Sequence, residues 1–171
     1  MKTKIICLPP VSEKNPYQHL MIEGLKKNKS LKVIKGYSSR YLGILLSAII
    51  YRPKYIHFDW INKYYLKKNS FLTLISIPWF FIQIIFVTKI LNINIVCTMH
   101  NLLPHDSNQI KLNQIVQNFF LNQCNWVRVF SKSTIPKIVK RYKVNTKKIF
   151  FLPEGSYVDY YKNTINKQNA R

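Results

Sequence analysis

The chain has 171 residues, 47% of them hydrophobic and 14% aromatic, with only four glycines. This excludes a disordered or low-complexity chain and leaves room for one domain with its own core. It carries 27 Lys and Arg against 6 Asp and Glu, a formal net charge of +21, which favours polyanionic partners: nucleic acid, anionic lipid headgroups or phosphorylated substrates. AT-rich coding DNA would enrich Lys, Asn and Ile together, but it does not account for the shortage of acids.

In chain order, Lys4-Ile5-Ile6-Cys7-Leu8 reads as a short strand stopped by Pro9-Pro10. Pro16 to Lys27 places Leu20, Met21, Gly24 and Leu25 at helical spacing. Lys26, Lys27 and Lys29 gather at its last turn, where the helix dipole is negative. Leu31 to Ile34 is a second strand, and Tyr41 to Ile50 an apolar helix that Pro53 closes. Lys54 to Phe58 is a third strand with Asp59 and Trp60 at its end. After the apolar stretch Phe71 to Leu91, Ile93 to Cys97 reads as a buried strand. Gln109 to Gln123 is expected as an amphipathic helix with Ile110, Ile115, Val116, Phe119 and Phe120 inward. Trp126 to Phe130 is another strand, and Ser131 is the expected N-cap of a helix carrying Ile135, Ile138, Val139 and Tyr142. Lys148 to Leu152 is the last strand, and Pro153-Glu154-Gly155 turns away from it. This alternation predicts an α/β fold, a Rossmann-like parallel sheet with helices on both faces. It spans residues 1–162, with a polar tail or linker over 163–171.

Cys7, Cys97 and Cys124 are far apart, without zinc-site spacing, and each lies in or beside an apolar run. They read as buried free thiols in a reducing compartment. No histidine spacing suggests a metal site, and no glycine-rich phosphate loop or GxSxG elbow is present. The N-terminus has no secretory-signal pattern, so a cytoplasmic protein, or one held at the cytoplasmic face of a membrane, is expected. Phe71 to Leu91 approaches the roughly 20 residues that span a bilayer, and Lys63, Lys67, Lys68 and Lys89 flank it. It reads as a buried helix, a span, or a helix packed on the sheet and dipped into a membrane surface, with peripheral contact preferred to spanning. Pro78 would kink it or mark its first turn.

The most informative segment is Thr98-Met99-His100-Asn101-Leu102-Leu103-Pro104-His105-Asp106. It places two of the four histidines just past a strand's carboxyl end, where open α/β sheets bind ligands. From the residues alone, His100 is a histidine satisfied by its own loop, and Pro104-His105-Asp106 is equally a binding group or a helix-leading turn. His57 and Asp59 occupy another strand's end, and Asn15-Pro16-Tyr17 carries a turn signal.

The stretch from Asn92 to Gly155 resembles the N-terminal half of a GT-B glycosyltransferase, close to the large retaining family 4. Members often carry Thr-x-His-Asn-x-x-Pro-His after a mid-sheet strand, and Thr98 to His105 matches it. Val129-Phe130-Ser131, the turn from Lys148 to Tyr157, Asn15-Pro16-Tyr17 and His57-Phe58-Asp59-Trp60 are similar to further segments of these enzymes. Glu154 departs from the pattern, standing where the family usually has histidine.

The resemblance implies transfer of a sugar from a nucleotide-sugar substrate, with no cofactor, for cell-surface polysaccharide assembly. It makes His100 the catalytic candidate. Asn101, His105, Asp106, Asn15, Tyr17, His57 and Asp59 become substrate-binding candidates, with Ser131, Glu154 and Gly155 near the donor. A second, sugar-nucleotide-binding C-terminal domain or partner chain is expected, or else the chain is a truncated form, since Arg171 falls about where the linker to that domain begins in such enzymes. A lipid-linked glycan acceptor and an anionic membrane surface complete the expected partners. The rival is a non-catalytic basic Rossmann-like module for anionic membrane or nucleic acid. The aromatics form no RNA-binding consensus, so nucleic acid is the less expected of those two.

Overall fold

The computed structural model describes residues 2–10, 16–102, 110–157 and 160. Among these residues six strands form: β1 (Thr3–Leu8), β2 (Leu31–Lys35), β3 (Tyr55–Phe58), β4 (Asn94–Met99), β5 (Trp126–Val129) and β6 (Ile149–Phe151). They make one parallel sheet in the order β2-β1-β3-β4-β5-β6. The helices between them are α1 (Pro16–Lys27), α2 (Gly43–Tyr51), α3 (Asn62–Tyr65), α4 (Ser70–Ile85), α5 (Ile110–Gln123) and α6 (Thr134–Tyr142). The alternation therefore yields the expected Rossmann-like α/β fold. The short α3, which buries Tyr64 and Tyr65, has no counterpart in the sequence reading.

The chain steps outward from β1 to β2, then back across β1 to β3 and on through β4, β5 and β6. Right-handed crossovers along that path put α1 on one face and α2, α4, α5 and α6 on the other. Side chains alternate between the faces. The four-helix face receives Ile6, Leu8, Ile56, Phe58, Ile95, Val127 and Val129, all buried. They pack against Ala48, Phe80, Ile84, Val116, Phe120 and Ile138, with Phe58 edge-on to Phe120 at 5.3 Å. Among the described residues, the face under α1 is only partly covered. Beside α1 runs a groove of about 320 Å³, lined by Met21, Leu25, Tyr55, Val96, Phe150 and Leu152 among others.

In α5, Val116 and Phe120 are buried and Phe119 stacks on Phe81 at 3.8 Å, but Ile110 and Ile115 are exposed. The inward stripe runs through Asn113, Val116 and Phe120 at helical spacing. Ile115, one position before Val116, is turned about 100° away from it. Ser131 is not the cap of α6. Its carbonyl accepts from the Thr134 N–H at 3.1 Å and its Oγ from the Ser133 N–H at 3.3 Å, a turn ahead of the helix. Pro136 explains the delay: a helix starting at Lys132 would set the proline ring against the Lys132 carbonyl. Starting at Thr134 keeps Pro136 in the first turn, where no N–H is needed.

Helix α4 starts at Asn69, whose side chain accepts from the Phe71 N–H at 2.8 Å. It continues through Pro78, which lies inside the helix rather than in its first turn, and widens into a π-turn over Phe86–Ile90. Cys7, Cys97 and Cys124 are free and buried, as expected.

Candidate active site

The connections diverge between β1 and β3: the chain leaves β1 for α1 on one face and β3 for α3 and α4 on the other. Diverging loops open a crevice at the carboxyl edge of the sheet. Into it come Asp59, just past β3, and His100, just past β4. Tyr17 and Gln18 reach it from the first turn of α1.

Asp59 is the hub. Its side chain is fully buried, and its Oδ2 accepts from Gln18 Nε2 at 2.9 Å. Gln18 Nε2 also reaches the Pro9 carbonyl at 3.3 Å, tying α1 to the end of β1. The other oxygen, Oδ1, faces His100 Nε2 at 3.3 Å, and His57 Nδ1 lies 3.8 Å from Oδ2. Burial is the strongest influence on this carboxyl and by itself raises its pKa. The hydrogen bond from His100, the nearby His57 and the hydrogen bond from Gln18 together outweigh it, so the acid is held below its usual range. A carboxylate only accepts, so His100 carries its proton on Nε2, leaving Nδ1 as its other hydrogen-bonding atom.

His57 lies beneath, its Nε2 2.8 Å from Thr98 Oγ1. Burial dominates there and lowers its pKa, against the pull of Asp59 and with the push of Arg128 and His100. Burial thus favours the neutral ring, whose Nδ1 has no hydrogen-bond partner among the described residues. Cys7, paired in register with His57, is no nucleophile, because burial pushes its thiol up to about 12.

His100 is held on three sides by aromatic rings. Trp60 stacks on it at 4.5 Å with 14° between the planes; Tyr17 and Phe130 meet it edge-on at 4.9 and 5.1 Å. Only 16% of its side chain is exposed. Behind Tyr17, Arg128 donates to Tyr17 Oη at 3.0 Å, to the Leu152 carbonyl at 3.1 Å and to the Pro153 carbonyl at 2.8 Å. One guanidinium thus ties the turn after β6 to the helix that carries Tyr17.

Two spaces adjoin this cluster. A cavity of about 60 Å³ is lined by Asp59, Trp60, Thr98, His100, Asn101 and Gln117 among others. It is far below the roughly 300 Å³ at which ligand pockets begin. A cleft of about 260 Å³ lies on the other side of Tyr17, bounded by Arg128, Leu152, Gly155, Ser156 and Tyr157 among others.

The structure therefore brings together Tyr17, His57, Asp59 and His100, with Asn101 exposed beside them and Gly155 on the neighbouring cleft. Ser131 is exposed and hydrogen-bonded to Ser133, outside this cluster of contacts. Glu154 is exposed and accepts from the Tyr157 hydroxyl. Asn15, His105 and Asp106 lie outside the described residues.

No protein-family model matches the chain, and no curated protein does. Among solved structures, it is similar to the Anabaena protein Alr3699/HepE in complex with UDP, with a TM-score of 0.50 and 12% sequence identity. The match covers 96% of this chain and 47% of that one, so the chain spans about half of HepE's length. The likeness is one of fold.

Sequence reading passed over Gln18 and Arg128, and named Trp60 only within His57-Phe58-Asp59-Trp60. A signal existed for Arg128, a cation inside the otherwise apolar strand Trp126–Val129, where an unpaired charge would not be tolerated. Gln18 in the first turn of a helix carries no such mark.

Proposed function

We propose that this chain is the acceptor-side half of a GT-B glycosyltransferase of the retaining family 4 type. It would work with a sugar-nucleotide-binding C-terminal domain or partner chain, on a lipid-linked glycan acceptor in cell-surface polysaccharide synthesis. The observation that carries the reading is His100, set by the buried Asp59 and Trp60 at the carboxyl edge, within a segment matching Thr-x-His-Asn-x-x-Pro-His. The UDP in the HepE structure supports a nucleotide-sugar donor. The apolar groove beside α1, with Trp126 and Phe150 exposed near it, supports a second folded unit on that side.

In this reading an acceptor hydroxyl attacks the anomeric carbon as the bond to the nucleotide diphosphate breaks. The hydroxyl proton passes to the departing phosphate on the same face, so the protein's part is positioning and charge stabilisation. His100 offers a hydrogen bond to the sugar from a ring that neither rotates nor changes tautomer while Asp59 is ionised. Asn101, His105 and Asp106 would hold the acceptor with Asn15 and Tyr17, and Gly155 would lie toward the donor.

The test is sugar transfer. A reading frame downstream of the Arg171 codon that encodes a donor-binding α/β domain would be co-expressed with this chain, and membranes supplied with radiolabelled UDP-sugars. His100→Ala should lower transfer on the order of a hundredfold, with circular dichroism showing that the chain still folds. Full activity in that variant, or no transfer by the wild-type pair, would sink the reading and leave the basic binding module in its place.

A further inference from the structure

Helix α4 is apolar on both sides, and the core accounts for only one of them. Its inner side, with Ile77, Phe80 and Ile84, is buried in the four-helix face. On its outer side Phe71 is 67% exposed, Leu74 and Ile75 56% each, and Ile82 55%. An amphipathic helix of a water-soluble domain carries polar residues there. The neighbouring helices extend the patch: Ile49 and Ile50 on α2 and Ile115 on α5 are also exposed.

The surroundings of the patch say what covers it. Lys63 and Lys68 precede α4, Lys89 follows it, and Lys111 opens α5. Between Asp59 and Asp106 the sequence contains no acid. A second copy of this very basic chain would meet that rim with its own cations, whereas an anionic lipid surface supplies the counter-charge across a broad, flat face. Ser70–Ile90 is long and apolar enough to cross a bilayer. Crossing would strip Phe80 and Ile84 from the core and leave the buried Gln83 and Ser76 in hydrocarbon.

We propose that the outer face of α4, with the exposed isoleucines of α2 and α5, docks in the plane of an anionic bilayer without crossing it. Helix α4 starts at the carboxyl edge of the sheet, so docking lays the crevice holding Asp59 and His100 alongside the lipid surface. The inference rests on this apolar and basic surface alone and stands or falls apart from sugar transfer.

The full chain would be floated with vesicles of equal parts phosphatidylcholine and phosphatidylglycerol, and with phosphatidylcholine alone. Binding should need the anionic lipid, fade at high salt, and be reversed by alkaline carbonate. The triple variant Leu74→Ser, Ile75→Ser, Ile82→Ser alters exposed positions and should bind at least about tenfold more weakly. Lys63→Gln, Lys68→Gln and Lys89→Gln, which leave the apolar face intact, should each weaken binding about fivefold. Unchanged flotation of the triple variant with its circular dichroism preserved overturns the proposal. So does equal binding to neutral vesicles, or resistance to carbonate, which would mean a span. A lipid-free dimer that the triple variant dissolves would also overturn it, because a second copy would then be the occupant.

Discussion

On the sheet face beneath α2, α4, α5 and α6, the strands present Ile6, Phe58, Ile95 and Val127 to a continuous apolar layer. On the face shared with α1, the same strands present Cys7, His57, Thr98 and Arg128, then open into a groove. Register joins these positions in pairs, Cys7 opposite His57 and Thr98 opposite Arg128. The fully covered face supplies the core. The thinly covered face tolerates polar groups, because α1 brings Tyr17 and Gln18 to satisfy them and the rest borders a crevice. The apolar core and the buried polar cluster are thus divided between the two sides of one sheet.

Substitutions can break that contrast, and the covered face should give the largest effect. Phe120→Ala empties a fully buried site against Phe58 and Phe80 and should cost about 4 kcal/mol in urea unfolding. A cost under about 1 kcal/mol would mean that the four-helix face is not the main core. On the other face, Asp59→Ala leaves Gln18 and His100 without their shared acceptor. The expected loss is about 3 kcal/mol, and Asp59→Asn should lose less. Equal, small losses in both would show that the carboxylate is not what holds the cluster.

The pH dependence sharpens the same point. His57 has a lowered pKa in the folded chain, so below the ordinary histidine value the unfolded chain takes up a proton that the native one refuses. Stability from this group is complete above about pH 6.5 and declines as pH falls toward the folded value. One proton limits the slope to about 1.4 kcal/mol per pH unit. Asp59, also lowered, adds stability above the ordinary carboxyl range that disappears only in stronger acid. Urea midpoints measured across this range should fall on acidification in the wild type and stay flatter in His57→Gln; parallel curves would remove His57 as the cause.

Tyr17→Phe deletes the acceptor for Arg128 Nη1 and should cost about 1 kcal/mol, with chemical-shift changes at Leu152 and Gly155 reporting release of the turn after β6. A silent turn would show that Arg128 holds it through the two carbonyls alone. The smallest effect belongs to the uncovered half of the sheet. Trp126→Ser, at a side chain 40% exposed, should change stability by about 0.5 kcal/mol or less. A larger loss would mean that its contact with Tyr55 closes the sheet from that side.

Much of the fold was legible because its signals are local. Lys4 to Leu8 and Ile93 to Cys97 are short apolar runs with turn residues nearby, and Pro16 to Lys27 repeats at helical spacing. The end of β4 announced its importance through the two histidines beyond it. Where reading failed, the deciding contact was distant or fine-grained. Ile115 and Val116 are equally apolar neighbours, and only the direction of the sheet tells which is buried. Ser131 looked like a cap because the constraint lay at Pro136. Gln18 meets Asp59 across 41 residues, and Arg128 meets Tyr17 across 111.

The sequence by itself determined the alternation of strands and helices, the apolar excess of α4 and the grouping of polar residues past β3 and β4. Backbone periodicity and turn chemistry act over a few residues, and those features need nothing more. The strand order was settled only in three dimensions. With β1 beside β3 and β3 beside β4, Asp59 meets Gln18 on one side and His100 on the other. Right-handed crossovers left α1 as the one described helix on its face, so that face has room for the polar cluster.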